Sequence, residues 1–197
     1  MDVKASRPYR MTARARAAER TGERVVDAML ERFSSTPYDR IRLEDVAADA
    51  DVTVQTVVRR FGSKHGLLAA TVERELSRLA ADREDARGAD ARATVRSLVQ
   101  FYEHHGLLIL KLYAEAHQAP GVPELADRAR AYHVRWCGDV FAGPIARVTT
   151  PTARAVRAAQ VVALCDASTW RVLRVDGGLS ARQTERAVLE MLLPLVE

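Results

Sequence analysis

Apolar residues recur at helical spacing along nearly the whole chain, while the period-two alternation of half-buried strands is scarce. The first stripe, Val25, Val26, Met29, Leu30 and Phe33, predicts a helix over about 15–34 that ends before Thr36-Pro37, because the residue before proline avoids helical dihedrals. A short helix over 43–50 follows, with Leu43, Val46 and Ala47 on one face. A third covers 54–61, capped by Thr53, with Val57, Val58 and Phe61 facing inward and Gly62 as its stop. Ser63 then opens a fourth helix to about 85, striped by Leu67, Leu68, Val72, Leu76 and Leu79.

The pattern breaks at Arg87-Gly88-Ala89, which reads as a segment boundary. Beyond it, helices are predicted over about 90–105, 107–118, 124–142, 150–175 and 181–193. Their punctuation is specific. Pro120-Gly121-Val122-Pro123 and Gly143-Pro144 are turns, Thr150-Pro151 is a cap followed by proline at the first helical position, and Ser180 with Gln183 fits a capping box. The expected fold is therefore all-α with about nine helices. Residues 1–66 are expected to form a three-helix helix-turn-helix domain with an N-terminal arm, and 67–197 a second helical domain for ligand binding and dimerisation.

Composition narrows the class. Of 197 residues, 48% are hydrophobic, enough to bury a core. No apolar run approaches the roughly 20 residues that span a bilayer, and the first residues are polar. These features predict a soluble, cytoplasmic chain with no membrane partner. Cys137 and Cys165 both lie in apolar helical stretches and are expected to be reduced, buried thiols. Residues 1–24 hold seven Lys/Arg against three acids, an excess equal to the net +4 of the whole chain. A basic arm on an otherwise balanced protein suggests a polyanionic partner.

The segment 45–68, DVAADADVTVQTVVRRFGSKHGLL, carries the chemistry. Two short helices joined by a tight turn, the second rich in polar groups, have the form of a helix-turn-helix, in which the first helix braces the second against the major groove. The segment resembles the DNA-binding domain of the TetR (tetracycline repressor) family over about 20–68: an alanine-rich brace, a turn, a helix opening on Thr, an aromatic close at Phe61, then Ser63-Lys64 and a leucine pair. Three positions depart from the family pattern. Asp51 replaces the usual turn glycine, Val58 a tyrosine that touches phosphate, and Arg42 a Ser or Thr cap.

By this resemblance and by side-chain chemistry, the DNA-binding residues are Arg42, Thr53, Val54, Gln55, Thr56, Arg59, Arg60 and Lys64. Gln55 suits adenine or another base edge, Val54 a thymine methyl, and Thr56 a phosphate or thymine methyl. Arg59 and Arg60 suit phosphate or guanine. Lys64 and the free N–H groups beside it suit a phosphate, and Arg10, Arg14 and Arg16 of the arm suit the backbone or minor groove. The implied partner is double-stranded operator DNA, bound by a homodimer and released by a small-molecule effector.

In the second domain, the last two helices are apolar on most sides. Val162, Leu173, Val188, Leu192 and Leu195 are therefore expected at a two-fold four-helix interface. Tyr102, Tyr113, His117, Trp136, Phe141 and Trp170 are expected to line an effector pocket. An enzyme is the rival class. However, the histidines lack metal-ligand spacing, adjacent His104 and His105 point to different faces, and no phosphate loop or serine elbow is present. No metal or cofactor is expected. A regulator of the same fold that activates, or needs no effector, is the second rival.

Overall fold

The computed structural model describes residues 7–84, 90–116 and 122–197, and side chains over 15–78, 90–116 and 122–197. All regular structure among them is helical. The order is α1 (Arg7–Ser35), a 3-10 turn (Tyr38–Arg40), α2 (Leu43–Asp49), α3 (Val54–Phe61), α4 (Lys64–Glu84), α5 (Ala91–Glu115), α6 (Val122–Val140), α7 (Ala142–Ala146), α8 (Pro151–Leu164), α9 (Ala167–Arg171) continuing into a π-helical turn (Val172–Asp176), and α10 (Ala181–Val196). The chain divides into two compact units, Met1–Arg74 and Glu75–Glu197, so the division falls inside α4.

Several boundaries differ from expectation for identifiable reasons. Helix α1 begins at Arg7, eight residues early, because 7–20 is rich in Ala and Arg and its one proline sits in the first turn, where it costs no hydrogen bond. The predicted break at Gly106 is absent, and α5 runs straight through it. A Cβ there would lie 2.5 Å from Cζ3 of Trp170, so Gly106 is the gap that lets α9 approach α5. The predicted helix over 150–175 is broken at Cys165, because Asp166 turns extended (φ −81, ψ 152) and caps α9 by accepting from Ser168 N at 2.8 Å. The other predicted caps form. Thr150 accepts from Ala153 N, and Ser180 with Gln183 makes the reciprocal box.

In the N-terminal unit, Val25, Met29 and Phe33 of α1 pack with Tyr38, Ile41, Val46, Ala47, Val57, Leu67 and Leu68, all buried. Arg32 of α1 grips α2 from outside this core. Its Nη2 donates to Asp49 Oδ1 at 2.9 Å, its Nε bonds the other carboxylate oxygen, and Asp45 lies 3.6 Å away. The hydrogen bond from Arg32 holds the Asp49 carboxyl below its ordinary range. Arg74 of α4 pairs with Asp27 of α1 at 2.7 Å.

In the second unit, Val95, Leu98, Tyr102, Trp136, Phe141, Val161, Trp170, Val188 and Leu192 belong to one core. Tyr102 donates to the Cys165 carbonyl at 2.8 Å, and Trp170 Nε1 to Glu103 at 2.9 Å, so these two rings bring satisfied polar tips. Cys137 and Cys165 are free and buried. A hydrogen bond to Cys165, then burial, pushes the Cys137 thiol well up, which leaves it inert.

Two outcomes test this packing. Gly106→Ala gains helix propensity yet drives a methyl into the Trp170 ring, so it should cost about 1–3 kcal/mol of unfolding free energy by urea titration. For the Arg32–Asp49 clasp, the folded carboxyl has the lower pKa, so its contribution is present at neutral pH and is lost as pH falls through that lowered value. Asp49→Asn should therefore cost about 0.5–1 kcal/mol at pH 7, as a partly exposed pair does. The difference from wild type should narrow below about pH 4.

Candidate nucleic-acid interface

Helix α3 is held by local chemistry at both ends. Thr53 Oγ1 accepts from Thr56 N at 3.2 Å, and Gly62, at φ +78, returns its N–H to the Val58 carbonyl at 2.8 Å. Before it, Asp51 adopts φ +54, the left-handed conformation that glycine usually supplies and aspartate tolerates. Val52 N bonds Ala47 O at 2.9 Å and Asp51 N bonds Ala48 O at 3.1 Å, so the chain reverses between α2 and α3 within a few residues.

Only Val57 of α3 is fully buried. Gln55, Val58, Arg59 and Arg60 are exposed, and Val54, Thr56 and Phe61 are half-buried. Gln55, Thr56, Val58 and Arg59 line one open depression along the helix. Val58 was expected inward and is instead 42% exposed. Neighbouring positions on a helix lie about 100° apart, so Val57 and Val58 cannot both face a core this narrow. Val58 is thus a member of the exposed face that sequence reasoning missed. The signal for it was its place at the family's phosphate-touching tyrosine.

The expected DNA-binding residues differ in what they already bind. Gln55 and Arg59 make no hydrogen bond or ion pair among the described residues, and Arg42, 73% exposed, makes only a 3.7 Å pair with Glu44. Arg42 occupies the cap of α2 without a side-chain cap bond. Thr53 and Thr56 are tied to each other, Oγ1 to Oγ1 at 3.0 Å. Arg60 and Lys64 are engaged within the domain: Arg60 donates to the Ala18 carbonyl, and Lys64 to carbonyls of Tyr38, Asp39 and Ile41. Of the arm, Arg16 is exposed on α1, while the side chains of Arg10 and Arg14 lie outside the described residues.

The residues expected at the other two sites separate differently. Tyr102, Trp136, Phe141 and Trp170 are all buried in the second core, the Tyr102 and Trp170 rings 6.1 Å apart between centroids. Tyr113 is half-buried beneath the Arg130 guanidinium at 4.3 Å, and His117 lies outside the described residues. Of the expected interface residues, Val188 and Leu192 point into the chain's own core, and Val162, Leu173 and Leu195 are half-buried against it. Helix α10 is apolar on several sides because α5, α7 and α8 cover it within one chain. The exposed face of α8 carries Ala155, Val156, Ala159 and Ala163, and that of α10 carries Met191. Among the described residues no group of His, Cys, Asp and Glu could hold a metal ion, and no helix is long and apolar enough to cross a membrane.

Residues 25–71 match the sequence profile of the bacterial regulatory proteins, tetR family. No curated protein sequence matches the chain. Solved structures share its fold at low identity. NalD of Pseudomonas aeruginosa, the secondary repressor of the MexAB-OprM multidrug efflux pump, is 19% identical with a TM-score of 0.67, covering 92% of this chain and 98% of its own. FadR of Bacillus subtilis, in complex with stearoyl-CoA, is 12% identical with a TM-score of 0.70, over 89% and 99%. A protein of Saccharomonospora viridis in complex with choline is 18% identical with a TM-score of 0.66, over 87% and 94%.

Proposed function

We propose that this chain, by its N-terminal domain a DNA-binding regulator of the tetR family, is a repressor that a small-molecule effector releases from its operator. The observation that carries the DNA-binding reading is the exposed face of α3. There Gln55, Val58 and Arg59 stand clear of a core in which Val57 is the one residue of the helix fully buried. A helix anchored by one apolar residue and braced at a tight turn is what a major groove accepts. In this reading Gln55 bonds a base edge, Val54 and Val58 meet methyl or sugar carbons, and Arg59 and Arg42 take phosphates.

Release by an effector rests on likeness of fold. Two structures with this architecture hold choline and stearoyl-CoA, and a third is a repressor. Binding to the folded state alone raises stability, so an effector is found by thermal shift. Trp136 and Trp170, buried in the second core, supply an intrinsic fluorescence signal for the same event.

A dimer is proposed through the outer faces of α8 and α10. Ala155, Val156, Ala159 and Ala163 make a close-packing surface on α8, and Met191 adds an exposed apolar side chain on α10. An apolar groove of about 610 Å³ lined by Val134, Ala159, Val162 and Ala163 extends this face. Small residues let two helices approach across a two-fold axis, where each contact occurs twice.

The reading is tested on DNA and on mass. Gln55→Ala should relax preference at one base pair by about 1–3 kcal/mol while other positions keep theirs, measured by titrating single-base variants of a duplex selected by the wild type. Unchanged discrimination at every position removes Gln55 from base reading. Ala159→Glu places like charges face to face and should halve the light-scattering mass. A wild type that is already monomeric at micromolar concentration contradicts the dimer. Reporter output after gene deletion separates repression, which predicts a rise, from activation, which predicts a fall.

A further inference from the structure

Two cations of the DNA-binding segment are spent inside their own domain. Arg60, in the last turn of α3, reaches back 42 residues to α1, where Nη1 donates to the Ala18 carbonyl at 2.7 Å. Its guanidinium lies 5.7 Å from the centre of the Phe61 ring. It also fits against a buried glycine: a Cβ on Gly22 would stand 2.3 Å from Arg60 Cζ. Lys64, at the start of α4, places Nζ 2.9 Å from Tyr38 O, 3.0 Å from Ile41 O and 3.4 Å from Asp39 O. The ammonium sits 4.5 Å from the centre of the buried Tyr38 ring. An ammonium has three donors, and here three carbonyls take them.

These carbonyls belong to the 3-10 turn and its exit, where Tyr38 O also takes the Ile41 N–H at 3.2 Å, and Lys64 serves the carbonyls of Asp39 and Ile41 beside it. To meet a phosphate, Lys64 would uncover them and leave the aromatic face, and Arg60 would abandon a filled notch. For Lys64 the exchange trades charge-assisted bonds for another while uncovering the carbonyls of Asp39 and Ile41, and for Arg60 it empties the notch at Gly22. Gln55, more than a turn earlier on α3, and Arg59, the residue before Arg60, have no such commitments among the described residues.

We propose that Arg60 and Lys64 are positioning residues. They stay on the domain's own carbonyls and hold α3 and the entry to α2 in the register from which Gln55, Thr56 and Arg59 reach a duplex. Arg60 locks the end of α3 to α1 through the notch that Gly22 leaves. Lys64 locks the start of α4 to the turn that precedes α2. The phosphate contacts then fall to other cations, Arg59 first among them. The inference rests on the DNA-binding reading above, and its test separates the two.

The test uses the full-length protein, a 30-bp duplex selected by the wild type from a random pool, and poly(dI-dC) as non-specific DNA. Affinities are followed against salt, well below each variant's melting temperature. Gly22→Ala is the decisive variant. Alanine favours the helix, so the domain folds, and its methyl evicts the guanidinium without removing the charge. Gly22→Ala, Arg60→Met and Lys64→Met should each weaken the selected duplex about tenfold and leave poly(dI-dC) binding within about twofold. The salt slope should stay at its wild-type value for all three, whereas Arg59→Met should lower it by about 0.9 per subunit.

Three results overturn the proposal. One is a slope lowered by about 0.9 per subunit in Arg60→Met or Lys64→Met, with both DNAs weakened alike, which marks a phosphate contact. Another is Gly22→Ala binding as tightly as wild type or more so, which means Arg60 needs no notch. The third is a lowered melting temperature with both affinities unchanged, which reduces the two residues to stabilisers of the fold. A wild type that enriches no duplex sinks the DNA-binding reading itself, and this inference with it.

Discussion

Everything proposed for the N-terminal domain depends on one backbone conformation, the left-handed turn at Asp51. A side chain in that region costs about 1–2 kcal/mol for most residues, and less for aspartate, whose short polar group is tolerated there. With φ at +54, Asp51 and Val52 return their N–H groups to Ala48 and Ala47, and α3 leaves at a fixed angle to α2. That angle lets Val46 and Val57 share one core with Met29 and Phe33. Because Val57 is the only residue α3 buries fully, the helix has little else to set its rotation. The turn, the Thr53 cap and the clasps to α1 and the 3-10 turn supply what a wider apolar face would supply in a longer helix.

What could be read from the sequence was mostly what is local. The caps at Thr53, Thr150 and Ser180 and the stop at Gly62 are decided within four residues, and they form as the chain order implies. The helix-turn-helix was legible for the same reason. Long-range fits were not legible. Gly106 reads as a break unless one knows that Trp170, 64 positions on, needs the space. Asp166 looks like one more polar residue in a long helix until its backbone turns extended and begins a new one. Lys64 and Arg60 looked like free cations because their acceptors lie 23 to 42 residues away and are backbone atoms, which carry no residue-type signal.

The same distinction explains the second unit. Apolarity on several sides of α10 suggested a partner chain, but burial by one's own chain and burial by another leave the same composition. The core takes Val188 and Leu192, and α5, α7 and α8 cover most of the helix. What distinguishes a surface free for a partner is what remains exposed. On α8 that is alanine and valine at 155, 156, 159 and 163, apolar in the sequence like the buried positions between them and told apart from those only by their exposure. Likewise Tyr102, Trp136, Phe141 and Trp170, expected around an effector, are buried in the core, with the tips of Tyr102 and Trp170 bonded to Cys165 and Glu103. Aromatic content marks a core and a pocket equally well.

Retained cations and free cations do different things for a protein that searches DNA. A free arginine attracts every duplex, and its contribution vanishes into counterions as salt rises. A cation bound to the domain's own carbonyls adds nothing to that indiscriminate attraction. It lowers the freedom of the helix that makes base contacts, and misplacement of those contacts weakens the selected duplex more than random DNA. An eight-residue α3 with one fully buried side chain has a particular need for such restraint. Held on carbonyls of α1 and the 3-10 turn, Arg60 and Lys64 would, as proposed, turn charge that raises affinity everywhere into rigidity that raises it at one sequence.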